Sequence, residues 1–213
     1  MIELQQLTYR DKNNIILKDI NLTVLSRERL VILGSSGSGK TTLLRLIAGF
    51  TAPTSGEIRI DDSIVSREGK IIIPPDKREV AMVFQDLALW PHMNVYENIA
   101  FGLKIRNIAK KTRDTKVKEM LSLVRLAGYE KRSIEQLSGG EQQRVALARA
   151  LILSPKVILM DEPLSSLDRA LNQKLRKEII RLQEKFGFTL VYVTHNEEEA
   201  EEIATRVITL NTQ

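Results

Sequence analysis

Four short stretches of this chain carry residue types that can do chemistry. Gly34-Ser35-Ser36-Gly37-Ser38-Gly39-Lys40-Thr41, with Thr42 behind it, fits the pattern G-x-x-x-x-G-K-[ST]. Glycines at that spacing let backbone amides wrap phosphate oxygens, Lys40 reaches the β- and γ-phosphates, and the Thr41 hydroxyl serves Mg²⁺. The pattern implies nucleotide binding without separating a kinase from an ATPase or a GTPase. Asp161 and Glu162 end the apolar run Val157-Ile158-Leu159-Met160. Two acids at a buried strand end are costly unless metal or water satisfies them. Asp161 would then serve Mg²⁺ through water, and Glu162 would accept a proton from attacking water. Solvated acids at an exposed strand end are the plainer alternative. His195 follows Val191-Tyr192-Val193-Thr194; a γ-phosphate contact fits there, and so does a satisfied structural histidine, with Thr194 and Glu197 capping the next helix. The fourth stretch is Leu137-Ser138-Gly139-Gly140-Glu141-Gln142-Gln143-Arg144. Ser138 and Glu141 read as a capping box, and the glycines in front of a helix N-terminus offer a second anion site. Two phosphate-binding faces in one chain suggest a machine that closes around a nucleotide.

Those residues need elements to position them. Residues 2–9 and 15–24 read as strands around the polar turn Asp11-Lys12-Asn13-Asn14. Residues 30–33 read as a short buried strand, 40–47 as an apolar helix stopped near Gly49, and 57–60 and 80–84 as further strands. From about Gln85 to Ala150 the pattern turns helical, with Asn94-x-x-Glu97 as one start signal. Residues 157–160 read as a fully buried strand. The next helix carries Leu171, Leu175, Ile179, Leu182 and Phe186 on one face and ends at Gly187. A strand at 190–193, a helix at 196–203 and a strand at 207–210 follow. Strands alternating with helices imply an α/β fold with a mostly parallel sheet covered on both faces, the helical middle forming an inserted subdomain at about 86–150.

Composition sets outer bounds. The 213 residues are 43% apolar and 28% charged, which is ordinary for one globular domain. No apolar run approaches the length of a membrane span, and Met1-Ile2-Glu3-Leu4-Gln5 lacks the pattern of a cleaved secretion signal. The absence of cysteine excludes disulfides and thiolate metal sites. Much of the net charge of +5 sits between Lys104 and Lys118, a solvated helical face or a surface turned toward anionic headgroups. His92, in Trp90-Pro91-His92-Met93, reads as loop or interface.

With these pieces placed, nearly the whole chain resembles an ATP-binding-cassette (ABC) transporter ATPase subunit. The likeness rests on the phosphate loop (Walker A), Val83-Phe84-Gln85, the signature Leu137 to Arg144, Walker B at Val157 to Glu162, Ser165-Ser166-Leu167-Asp168 like a D-loop, and His195 like the switch histidine. It implies a RecA-like P-loop NTPase fold with an N-terminal antiparallel β region, and ATP with Mg²⁺ as cofactors. Such subunits pair head to tail around two ATP molecules. Ser138, Gly139 and Gly140 would then contact the nucleotide bound to the partner chain, and Asp168 would link the two sites. Gln85 would touch Mg²⁺ or attacking water and sense a transmembrane permease near residues 85–101.

The finer likeness is to ATPases of bacterial importers for sugar, polyamine, sulfate or iron, carried by Pro75 to Leu103 and Asp161-Glu162-Pro163-Leu164-Ser165. It implies a peripheral subunit on the cytoplasmic face of the membrane, served by a separate solute-binding protein, with no nucleic-acid partner. Trp90, Pro91, Met93 and Tyr96 would either receive a helix of the membrane subunit or pack inside the helical subdomain. The usual adenine-stacking aromatic falls on Asp11 here, and Tyr9 comes two residues early. The chain ends at Asn211-Thr212-Gln213, so the β-rich regulatory domain of many relatives is expected to be absent from it. Ser166 stands where alanine is common. An exporter ATPase remains an alternative; so does a soluble ABC-type switch in DNA repair or translation, although the coiled-coil insertions or tandem cassettes of that class are not visible.

Overall fold

Alternating apolar residues along the first strands produce a hairpin with one face turned inward. In the computed structural model, which describes residues 1–210, β1 (Ile2–Asp11) and β2 (Asn14–Val24) pair antiparallel, burying Ile2, Leu4, Leu7, Leu17 and Val24. β3 (Arg29–Leu33) leads into α1 (Lys40–Ala48), after which β4 (Ser55–Ile60), β5 (Ser63–Arg67) and β6 (Lys70–Ile71) complete a five-stranded sheet in the order β2-β1-β4-β5-β6. After a 3-10 turn at Pro75–Lys77 come β7 (Val80–Val83), α2 (Val95–Ile105), α3 (Lys110–Leu123), α4 (Gly139–Leu151), β8 (Val157–Asp161), α5 (Arg169–Phe186), β9 (Thr189–Thr194), α6 (Glu197–Ile203) and β10 (Arg206–Thr209). The second sheet has the order β10-β3-β9-β8-β7, and the pairs β10–β3, β3–β9 and β9–β8 are parallel. Every residue of β8 and β9 is buried, as expected for a sheet covered on both faces.

The chain divides into two compact units. The first takes residues 1–82, 156–162 and those from 179 onward; the second takes 83–155 and 163–178. The core of the first unit joins Leu30 and Ile32 of β3, Leu43, Leu46 and Ile47 of α1, Leu159 of β8 and Val191 and Val193 of β9 to the apolar face of the antiparallel sheet. In the second unit α2 packs on both α3 and α4.

Sequence and structure differ at three places in the fold. β5 and β6 were not expected from the sequence. A register shift in the β4–β5 ladder leaves Val65 and Ser66 buried side by side, which erases the alternation of a half-buried strand. The helical pattern expected from Gln85 begins only at Val95. The wholly buried Asn98 binds the carbonyls of Trp90, Met93 and Asn94, and so holds that segment as a loop. Phe186, expected on the buried face of α5, is 37% exposed, because the apolar stripe ends at Leu182 and Gly187 (φ 67°) terminates the helix one residue later. The expectation drawn from the last residues, Asn211-Thr212-Gln213, falls outside the described residues.

Candidate active site

The phosphate loop joins the end of β3 to the start of α1. Gly39 is the helix N-cap, with φ 93°. A Cβ there would stand 2.8 Å from Leu17 Cδ2 and 3.1 Å from Ile16 O, so β2 presses against the loop and only glycine fits. The Lys40 ammonium donates to the carbonyls of Gly34 (2.7 Å) and Ser35 (2.9 Å), and the side chain is almost wholly buried. Ser38 Oγ is buried and has no hydrogen-bond partner among the described residues.

Pairing of β8 with β9 brings the acids and the histidine to the same sheet edge. Thr41 Oγ1 donates to Asp161 Oδ1 at 3.0 Å. Burial raises the Asp161 carboxyl above its usual range, the nearby Glu162 charge pushes the same way, and the Thr41 hydrogen bond opposes them. Glu162 leaves the strand with φ 42°, its amide donating to Val193 O at 3.0 Å. This left-handed step turns its carboxylate between two cationic or donor groups: Lys40 Nζ lies 3.5 Å from Oε1, and His195 Nδ1 lies 3.0 Å from Oε2. A carboxylate accepts only, so Nδ1 carries the proton in this contact. Below His195, Thr194 Oγ1 accepts from the Asn196 amide and donates to Glu199, while the Asn196 side chain caps α6 by accepting from the Glu199 amide. The cap is therefore Asn196, and not the expected Thr194 with Glu197; the Thr194 hydroxyl is already engaged beneath the turn.

The donor set fits a nucleotide triphosphate with a divalent cation. Ser38 Oγ is an orphaned buried polar atom within the loop, and Thr41 and Asp161 present two oxygen ligands side by side. Among the described residues no group of three or more His, Cys, Asp or Glu could hold a metal ion. A hard cation at Thr41 and Asp161 would draw its remaining ligands from phosphate and water, which is the habit of Mg²⁺.

The remaining expected residues belong to the second unit. Gln85 is exposed in the turn after β7. Ser138 caps α4 in a complete capping box, its hydroxyl and amide both bonded to Glu141. A Cβ on Gly140 would stand 2.8 Å from Leu171 Cδ1, so this glycine answers a packing need as well as offering an amide. Asp168 caps α5, accepting from the Leu171 amide at 3.0 Å. Tyr9 is half-buried against the core of the first unit.

Residues 17–165 match the family described as ABC transporter. The chain belongs to that family. It is 47% identical over 211 residues to the spermidine/putrescine import ATP-binding protein PotA of Clostridium acetobutylicum, covering 99% of this chain and 58% of that one. To the protein of the same name from Clostridioides difficile it is 50% identical over 202 residues, covering 94% and 56%. The chain thus spans less than two thirds of the length of these relatives. Among solved structures it is similar to a dimeric bacterial ABC transporter cassette, MJ0796, with TM-score 0.85, 33% identity and coverage of 99% and 94%. It is also similar to cbiO1 from Clostridium perfringens, with TM-score 0.87, 28% identity and coverage of 98% and 84%. The P-loop NTPase fold expected from the sequence is the fold of this cassette.

In this ABC cassette the structure brings Lys40, Thr41, Asp161, Glu162 and His195 together within the first unit, and sets Gln85, Ser138 to Gly140 and Asp168 in the second. The aromatic cluster divides between packing within the second unit and the lining of a groove. Trp90 packs on Phe101, with ring centroids 4.5 Å apart, while Met93 and Tyr96 line a groove of about 240 Å³ with Phe101, Lys104 and Arg113. Sequence reasoning missed Glu199. Its buried carboxylate accepts from Tyr192 and Thr194 and braces the turn that carries His195. An acid three residues into a helix of glutamates gives no signal of its own.

Proposed function

We propose that this chain binds and hydrolyses ATP to power import of a solute across a membrane. The convergence of Lys40, Thr41, Asp161, Glu162 and His195 carries the reading. Residues 1–213 serve as one nucleotide-binding domain, which pairs with a second copy or a related subunit so that Ser138, Gly139, Gly140 and Asp168 serve the partner's nucleotide. The pair works at the cytoplasmic face of the membrane beneath permease subunits that contact residues 85–101, with solute delivered by a separate binding protein. The identity of 47–50% to proteins named for spermidine and putrescine import makes polyamines the first solutes to test.

In the reaction, amides of residues 34–41 and the Lys40 ammonium hold the β- and γ-phosphates. Thr41 and Asp161 would hold Mg²⁺, with Gln85 the candidate to join them, and the ion would supply charge neutralisation at phosphate oxygens. Glu162 takes a proton from the attacking water as oxygen bonds to the γ-phosphorus, and the bridging P–O bond breaks with its electron pair leaving on ADP. His195 holds Glu162 through Nδ1. Only the doubly protonated ring can also donate from Nε2 to a phosphate oxygen. Tyr9 is the candidate to stack on adenine.

The decisive experiment is Glu162→Gln. It keeps ATP binding and lowers turnover by about 10²–10⁴-fold, the usual effect of losing a general base. Hydrolysis at the wild-type rate by this variant would remove Glu162 from the mechanism.

A further inference from the structure

The turn after Gln85 contains the only two consecutive non-glycine residues with left-handed backbone among the described residues, Leu87 (φ 60°) and Ala88 (φ 44°). Neither leucine nor alanine favours that conformation, since the Cβ crowds the carbonyl. Something outside the turn must hold it, and the holder is on the helix that the signature opens. Arg149, near the C-terminal end of α4, donates from Nη2 to Leu87 O and from Nη1 to Ala88 O, both at 2.6 Å. The same guanidinium lies 4.9 Å from the centre of the Trp90 ring, a cation–π distance. Inside the turn, the Leu87 amide donates to Phe84 O and the Ala88 amide to Asp86 Oδ1. From the other side Asn98 of α2 accepts from the Trp90 amide and donates to the Trp90 carbonyl. Burial lowers the Arg149 guanidinium from its ordinary value and Asp86 pulls it back up, so this is a partly desolvated cation spent on two backbone carbonyls. A fork of two parallel N–H groups matches two adjacent carbonyls that point the same way, which a left-handed pair supplies.

We propose that Arg149 is a positioning residue for hydrolysis: it holds residues 87 and 88 in the left-handed turn, sets where Gln85 is presented, and ties that turn to the helix that begins at Ser138. The inference rests on the proposed ATPase reading, in which Gln85 serves the nucleotide. Arg149 bonds to the carbonyls of Leu87 and Ala88 and lies over Trp90. Its effect passes through the turn.

The test uses the full chain with Arg149→Lys, Arg149→Ala and Gln85→Ala. Lysine keeps the charge but cannot fork onto two carbonyls or lie flat on Trp90, so it behaves like alanine. Both Arg149 variants lower kcat for ATP by about 10–100-fold with little change in KM, as displacement of a positioned group does. Arg149→Ala adds nothing further in the Gln85→Ala background, because both act through Gln85. Ala88→Gly, which makes the left-handed turn accessible without the clamp, restores part of the kcat lost in Arg149→Ala. Hydrogen exchange gives a readout independent of turnover: the amides of Leu87 and Ala88 exchange faster in Arg149→Lys, while those of α1 do not. Wild-type kcat in Arg149→Lys, additivity with Gln85→Ala, or unchanged exchange at 87 and 88 overturns the inference. If the wild-type chain hydrolyses no ATP, the functional reading falls instead, and the exchange experiment still decides whether Arg149 holds the turn.

Discussion

Two glycines of the phosphate loop look alike in the sequence and differ in the structure. Gly37 and Gly39 both have φ above 80°, but a Cβ on Gly37 meets nothing within 4 Å, whereas one on Gly39 runs into Leu17 and the carbonyl of Ile16. Gly37→Ala therefore costs only the left-handed backbone penalty, about 1–2 kcal/mol. Gly39→Ala adds a clash with β2 and is expected to cost about 2–3 kcal/mol, roughly 4–12 °C in Tm for a chain of this size. It also tilts the loop that carries Lys40, so ATP affinity falls further in Gly39→Ala than in Gly37→Ala. Thermal melts and nucleotide titrations on the pair check both statements, and equal losses would show that the β2 contact is without consequence. The spacing of these glycines was readable because the chemistry of phosphate binding fixes it. The press of Leu17 on Gly39 was not, since it joins residues from separate elements.

Among the elements, α1 is secured at both ends. Its N-terminus is the phosphate loop, and its C-terminus ends at Gly49 against the guanidinium of Arg78. Arg78 is 3% exposed and donates to the carbonyls of Leu46 and Ile47 in the last turn of α1, to Val65 and Ser66 on β5, and to Ile73. Burial pulls its pKa down to about 10, so it is still charged at neutral pH, where a cation at a helix C-terminus is favourable. Arg78→Met removes a donor from five buried or part-buried acceptors, of which Leu46 O and Val65 O keep amide partners, and is expected to lose about 2–4 kcal/mol in denaturant unfolding. Arg78→Lys recovers little of that, because one ammonium cannot span α1, β5 and the Ile73 carbonyl. Recovery of full stability by lysine would reduce Arg78 to a simple charge. In the sequence Arg78 is one of 32 basic residues with nothing to distinguish it, and its partner strand β5 is hidden by the register shift beside Ile58. The elements that were legible are those whose signal is local: the apolar runs of β8 and β9, the capping boxes at Asn94 and Ser138, and the stop at Gly49. What failed carried no periodic signal: Asn98 holds a loop through side-chain bonds to the carbonyls of Trp90, Met93 and Asn94, and Phe186 sits at a helix end.

For the molecule as a whole, the distribution of site residues has a consequence for assembly. The chain passes between its two units between residues 82 and 83, 155 and 156, 162 and 163, and 178 and 179. One crossing follows Glu162 directly and another comes three residues before Gln85, so both groups sit where the chain changes unit. The phosphate loop belongs to one unit and the signature to the other, and Ser138 is committed to its own helix through Glu141. If the signature serves a nucleotide held by a second copy, the paired interface is isologous and each site draws residues from both chains. A chain with Lys40→Ala and a chain with Ser138→Asp are then each inactive as homodimers. Aspartate keeps the helix cap, so α4 should persist by circular dichroism while the added charge repels phosphate. In a mixed dimer, one site combines both lesions and the other has an intact phosphate loop facing an intact signature. Random exchange makes half the dimers mixed, so an equimolar mixture should recover about a quarter of wild-type hydrolysis at most. The recovery should vanish on dilution below the concentration at which dimers form. If the mixture stays as inactive as its components, or if Ser138→Asp alone hydrolyses ATP normally, the signature does not act across the pair, and the capping box and the packing of Gly140 on Leu171 are sufficient reason for its residues.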